Sequence, residues 1–205
     1  MKKDFNKIFC IGLSKTGTKS LHVALQILKF TSCHDLHGGT SNKMGYINQA
    51  TVGDYNWEII NKFDAFSDIP IPIYYKGLDK AFPNSKFILT IRDKKSWLES
   101  CERWFNKWKI TLKHLDGLKK EDNIITIQSV GFIRILVYGI SVFNYEVFSQ
   151  VYDQHIENVY EYFKNRPGDL LTLNICNGDG WEKLCKFLNQ KVIQQPFPYK
   201  GKNNG

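Results

Sequence analysis

The stretch Gly12-Leu-Ser-Lys15-Thr16-Gly17-Thr18-Lys19-Ser20 holds two glycines, two lysines, two threonines and two serines. That mixture suits the binding of an oxyanion. Glycine lets a backbone approach closely. Backbone N–H groups at the start of a helix face an anion, and the helix dipole favours negative charge there. Thr16, Thr18 and Ser20 add hydroxyls, and Lys15 and Lys19 add charge. The spacing is not that of a Walker A loop, in which Gly-Lys-[Ser/Thr] follows four spacer residues. Here Thr18 stands between Gly17 and Lys19.

A loop of this kind works only when fixed between a strand and a helix. Lys7 to Leu13 (KIFCIGL) is a short apolar run suited to a buried strand, and Leu21, Leu25 and Leu28 recur at helical spacing after it. A second strand is expected near Phe30 to Cys33, loop over 38–53, and a helix over Tyr55 to Phe63. Asp68-Ile-Pro-Ile-Pro-Ile alternates, but its prolines argue against a central strand, so it reads as a loop entering a helix near Tyr74 to Phe82. Lys86 to Ile91 (KFILTI) is the clearest buried strand. A helix with Trp97, Cys101, Trp104 and Trp108 on one face follows it, with Asp93 as N-cap. Residues 113–123 read as loop and Ser129 to Arg166 as two helices, which Pro167-Gly168 ends. Leu170 to Ile175 reads as a last strand, Trp181 to Leu188 as a short helix, and 194–205 as an extended, mobile tail. Strands alternating with helices imply an α/β, three-layer fold: a central, mainly parallel sheet flanked by helices, in one domain over 1–205.

Lys15-Thr-Gly-Thr-Lys-Ser20 resembles the phosphosulfate-binding loop of the sulfotransferases that use 3′-phosphoadenosine 5′-phosphosulfate. The resemblance implies a P-loop-like fold. It implies that Ser14, Lys15, Thr16, Gly17, Thr18, Lys19 and Ser20 hold the 5′-phosphosulfate, and that Lys15 stabilises charge on the bridging oxygen as the sulfuryl group leaves. That family also carries an Arg at a strand end and a Ser eight residues on, which hold the 3′-phosphate. Arg92 and Ser100 stand at that spacing, with Ser96 a weaker substitute. Asp68-Ile-Pro70, Tyr152-Asp-Gln-His155, Asn177-Gly-Asp-Gly-Trp181 and Pro196-Phe-Pro198 look like the branch that lacks a membrane anchor. Lys200, in Lys200-Gly-Lys202, matches a position where relatives bring basic groups toward the nucleotide.

The implied reaction moves a sulfuryl group in line to a hydroxyl or amine of a small molecule or glycan. It needs no metal and leaves adenosine 3′,5′-bisphosphate. The acceptor needs a proton acceptor within hydrogen-bond reach. Asp68 is the favoured residue, His37 stands beside it, and His34, Asp35 and His155 are the other candidates. The competing reading is a P-loop nucleotide kinase or nucleotide-binding protein using Mg-ATP. It lacks a good acidic metal ligand, since Asp93 and Asp179 both fit poorly, and its lysine is displaced.

The 205-residue chain has 42% hydrophobic and 14% aromatic residues, enough for a sizeable core. That excludes a disordered chain. Its 28 Lys+Arg against 20 Asp+Glu give a net charge of +8, which favours anionic partners. The lysines are scattered and no nucleic-acid signature occurs, so no nucleic-acid partner is expected. Cys33-His34-Asp35-Leu-His37 has no second cluster to complete a zinc site. No secretory signal or membrane-spanning run is read. Five widely spaced cysteines without a CxxC pair fit a cytoplasmic protein.

Overall fold

Every residue of the first strand, β1 (Ile8–Cys10), is buried. A strand of this kind needs cover on both faces of its sheet. The computed structural model describes residues 4–36, 43–113 (backbone alone for 107–113) and 131–200. After β1 come α1 (Thr18–Ile27), β2 (Ser32–His34), α2 (Lys43–Thr51), a 3-10 turn (Glu58–Lys62), β3 (Ala65–Ser67), α3 (Ile71–Ala81), β4 (Lys86–Thr90) and α4 (Lys94–Lys113). A helical stretch over 131–138, here α5, precedes α6 (Tyr145–Phe163), β5 (Leu170–Leu173) and α7 (Trp181–Phe187).

The five strands form one sheet in the order β2-β3-β1-β4-β5, and every neighbouring pair is parallel. This is an α/β fold. Because β1 lies between β3 and β4, the chain segments leaving all three converge at one edge of the sheet. Crevices of this kind, where the strand order reverses, are where open parallel sheets bind ligands.

The chain divides into two compact units, Met1–Arg92 with Val159–Gly205, and Asp93–Asn158. The first contains the sheet. Alternation along its strands sends Phe9, Ile11, Phe66, Phe87 and Leu89 to one face, against α2, α3 and the end of α6. It sends Ile8, Cys10, Ala65 and Ile88 to the other, against α1 and α7. Phe9 and Phe87 meet at 5.6 Å, and Phe87 and Phe163 at 4.9 Å. Burying each such ring contributes about 1.5–3 kcal/mol. The second unit has an aromatic core of its own. Trp97 packs on Tyr152 at 4.5 Å and Tyr138 stacks on Phe148 at 4.5 Å. Arg134 is buried over the Phe105 ring, 4.1 Å from its centroid. No helix among the described residues is long and apolar enough to cross a membrane.

Three elements differ from the expectations above. The polar stretch 43–51 is helix α2, whose Tyr46, Ile47 and Ala50 are buried. Tyr55 to Phe63 holds only the short 3-10 turn. The helix expected from Tyr74 starts at Ile71, because Pro72 sits in its first turn, where no intrahelical N–H is needed. Just before it lies β3, three buried residues too short for periodicity to show.

Candidate functional site

The loop after β1 is set by a close approach to β4. A Cβ on Gly12 would lie 1.9 Å from Thr90 Oγ1 and 2.4 Å from the Thr90 carbonyl oxygen. Beyond it, Lys15 (φ 72°) and Gly17 (φ 106°) both adopt left-handed backbone, which turns the chain into α1. Gly17 caps α1 without any side-chain hydrogen bond, and no acidic residue stands in the first turn. The first N–H groups of a helix have no partner within it. Lysines 15 and 19 therefore stand beside the positive end of the helix dipole. That placement is unfavourable alone and favourable once an anion is held there.

The loop hydroxyls do not all face outward. Thr16 is fully buried. Its hydroxyl donates to the Leu13 carbonyl at 2.6 Å and lies 2.6 Å from Thr90 Oγ1. Since the single Thr16 proton goes to Leu13, Thr90 is the donor of that pair. The Thr16 side chain braces the loop against β4. Cys10 sits beneath, its Sγ 4.0 Å from Thr90 Oγ1. Burial pushes the Cys10 thiol up to about 12, so it is an inert core residue. Ser20 is also turned away from solvent. Its hydroxyl accepts the Lys200 N–H at 2.8 Å and donates to the Lys200 carbonyl at 3.4 Å. The segment expected to be a mobile tail is fastened up to Lys200. Trp181 Nε1 donates to the Gln195 carbonyl at 2.7 Å, and Phe197 packs on Trp181 at 4.8 Å.

Asp68, immediately after β3, ties the loop from the other side. Its Oδ1 accepts the Ser14 hydroxyl and, at 2.9 Å, the N–H of Ile69. Its Oδ2 accepts the Thr18 hydroxyl at 3.3 Å and lies 3.3 Å from His34 Nε2. Asp68 is itself left-handed, at φ 68°, which an Asp tolerates better than most residues. His34, the last residue of β2, also reaches Ser67 Oγ with Nδ1 at 3.0 Å. The ring of His22, on α1, lies 5.4 Å from that of His34, and its Nδ1 is 2.8 Å from Ser32 Oγ. Sequence reasoning missed His22, Ser67 and Thr90. His22 and Thr90 lie in elements read from their apolar pattern, where a polar residue carries no signal of its own, and Ser67 lies in β3, which is too short to show a pattern.

Burial, then the neighbouring His34 and Lys19, hold His22 below the ordinary histidine value. A histidine with a depressed folded pKa is neutral in both states above the unfolded value, and costs nothing there. As pH falls through the ordinary histidine range, the unfolded chain binds the proton first, so stability falls. The melting temperature is expected to drop between pH 7.5 and 5.5, and His22→Gln should drop less. Thermal melts of both chains across that range check this; parallel curves would remove His22 as a cause.

Arg92 follows β4 by two residues, and its guanidinium donates to the Lys15 carbonyl at 3.4 Å, so the strand-end arginine borders the loop. Ser100 belongs to the second unit, buried on α4. Ser96 is taken up in the cap of α4: its N–H donates to Asp93 Oδ1 at 2.9 Å, which makes Asp93 the expected N-cap. Asp35 forms an ion pair with Lys43 of α2, and His155 lies on α6 in the second unit. His37 lies outside the described residues.

A five-stranded parallel sheet flanked by helices, with a loop and a helix start after β1 that has no side-chain cap, defines an α/β fold of the P-loop kind. The profile of the sulfotransferase domain family matches residues 7–205, and the chain belongs to that family: it is a sulfotransferase. It is also similar to "Ava biosynthesis cluster protein M" of Aspergillus versicolor, at 25% identity over 215 residues, covering 94% of this chain and 80% of that protein.

Proposed function

We propose that this sulfotransferase moves a sulfuryl group from 3′-phosphoadenosine 5′-phosphosulfate to a hydroxyl or amine of a small molecule or glycan, with 1–205 acting as one catalytic domain. The observation that carries the reading is the start of α1. Gly17 caps it without a side chain, no acid stands in its first turn, and Lys15 and Lys19 flank it. Those charges and N–H groups are matched to the 5′-phosphosulfate. Ser14 and Thr18 complete the rim of the loop. Thr16 braces it, and Ser20 binds the backbone of Lys200, bringing that residue to the first turn of α1. Arg92, which borders the loop, holds the 3′-phosphate. Arginine is suited to this because its planar fork binds phosphate through two N–H groups.

Sulfuryl transfer concentrates charge on the oxygen bridging to the leaving nucleotide. Lys15 neutralises it there, so no metal is needed, by the electrostatic logic that serves phosphoryl transfer. The acceptor's proton goes to the polar group around Asp68 and His34. The cysteines form no disulfide, which supports a reducing compartment, the cytoplasm.

The test is a titration without metal. The chain is expected to bind adenosine 3′,5′-bisphosphate at least tenfold more tightly than adenosine 5′-monophosphate, and Arg92→Ala should erase most of that preference. Calorimetry checks both. Tighter binding of ATP with magnesium would transfer the chain to nucleotide kinase chemistry.

A further inference from the structure

We propose that Asp68 is a positioning residue joining the donor loop to His34, and that His34, rather than Asp68, takes the proton from the acceptor. This rests on the donor reading above.

An ionised carboxylate has about four lone-pair directions. In Asp68 the Ser14 hydroxyl, the Ile69 N–H and the Thr18 hydroxyl occupy three of them, and the fourth faces His34 Nε2. Two of these groups belong to the loop that carries Lys15, so the carboxylate fixes that loop rather than facing an incoming acceptor. A hydroxyl has one proton to donate. Ser14 and Thr18 spend theirs on Asp68, and so turn lone pairs, not protons, toward the loop interior. The donor anion is left to the backbone N–H groups and the lysines.

The surroundings of His34 are complementary to its protonated form. Ser67 Oγ has the Cys33 carbonyl as its acceptor at 3.5 Å. That leaves an oxygen lone pair for a proton on Nδ1 at 3.0 Å. A proton on Nε2 then meets Asp68 Oδ2 at 3.3 Å. Other charged groups near the pair are Lys19, which acts on His22, and the Asp35–Lys43 ion pair just after β2. Both His34 and Asp68 are partly exposed, at 23% and 16% of their side chains, so the pair is open to solvent.

The step balances as follows. A lone pair of the acceptor oxygen forms the new bond to sulfur. The bond from sulfur to the bridging oxygen breaks, and its electron pair leaves on adenosine 3′,5′-bisphosphate. The acceptor's proton passes to His34 Nε2, and the imidazolium formed closes onto Asp68. A general base in such a position contributes roughly 10²–10⁴-fold.

Two readouts separate the roles. Adenosine 3′,5′-bisphosphate binding is measured by calorimetry, and transfer of labelled sulfuryl from the donor to 4-nitrophenol under single-turnover conditions. Asp68→Asn keeps a residue that accepts left-handed backbone, but its amide cannot receive all these protons. It is expected to weaken bisphosphate binding about tenfold and to slow transfer. Ser14→Ala with Thr18→Val removes the same clamp from the loop side and should weaken binding alike, which guards against misfolding of the Asp68 variant. His34→Gln is expected to bind like the parent yet transfer at least 100-fold more slowly, and added imidazole should restore part of the activity of His34→Ala. Parent-like binding by Asp68→Asn and by the double variant would overturn the positioning role. Parent-like transfer by His34→Gln would return the proton to Asp68. Failure of the parent itself to bind the bisphosphate would instead overturn the donor reading.

Discussion

Lys15→Ala is expected to lower single-turnover sulfuryl transfer by about 10²–10³-fold while weakening adenosine 3′,5′-bisphosphate binding only a few-fold. The magnitude is that of removing one donor aimed at charge that develops in a transition state. Before transfer the bridging oxygen shares its charge with two electron-poor neighbours. As the bond to sulfur breaks, that charge grows, and an ammonium beside it gains interaction energy only then. On the proposed donor reading, ground-state binding is spread over the N–H groups at the start of α1, Lys19 and Arg92, so one lysine is a small part of it. Backbone strain does not confound the comparison, because residue 15 is left-handed at φ 72° and alanine and lysine both pay that cost. Lys15→Arg is the useful second variant, since it keeps the charge but spreads it over a plane. Equal rates in parent and Lys15→Ala would remove this residue from the chemistry.

Fold and site were legible in the sequence to different depths, for physical reasons. The loop 12–20 was readable because its parts are contiguous: strand, glycines, lysines and helix lie within thirty residues. The strand ending before Arg92 was equally clear, since KFILTI is a short run dominated by Phe, Ile and Leu. The order β2-β3-β1-β4-β5 was not readable, because β2 and β3 have three residues each and carry too little pattern. Helix α2 was hidden for a related reason. Its mixed polar sequence gives weak amphipathicity, and burial of Tyr46 against Trp57 at 5.6 Å is a tertiary choice.

Asp68 was found as a candidate through its Asp-Ile-Pro context. Ser14, Thr18 and His34 were candidates too, but their pairing with Asp68 was not legible, because they lie between 34 and 54 residues away in the chain. The same limit explains Thr16 and Ser20. Residue type shows that a hydroxyl is available, but not whether the neighbouring strand or a returning tail consumes it first. Hydroxyl-rich loops therefore invite overcounting of ligand contacts. In this chain the Thr16 hydroxyl goes to the Leu13 carbonyl and the Ser20 hydroxyl to the backbone of Lys200.

Gly12→Ala is expected to destabilise the protein by roughly 3 kcal/mol, at the upper end of overpacking in a close-packed interior. The added methyl would meet Thr90 at 1.9 Å from Oγ1, 2.4 Å from its carbonyl oxygen and 2.8 Å from its nitrogen. Only the first of these atoms belongs to a side chain. The backbone atoms cannot retreat, because β4 is held by β1 on one side and by β5 on the other, with Thr90 paired to Leu173. Nor can β1 move alone: the Ile11 N–H donates to the Ile88 carbonyl at 2.8 Å, one residue before the glycine. Thr90→Ala should therefore rescue Gly12→Ala only slightly, since it removes the side-chain clash and leaves two backbone ones. It would also remove the hydroxyl that donates to Thr16, at a cost of about 1 kcal/mol, while Thr16 keeps its bond to the Leu13 carbonyl. Against a total stability of about 5–15 kcal/mol the glycine variant loses a large share, and any folded fraction carries a displaced loop. Urea unfolding of the two single variants and the double variant measures this, with bisphosphate binding by the folded fraction as the second readout. A Gly12→Ala midpoint equal to the parent's would mean that the loop and β4 can part without cost. The short contact between them would then no longer account for a glycine at the point where the loop leaves the sheet.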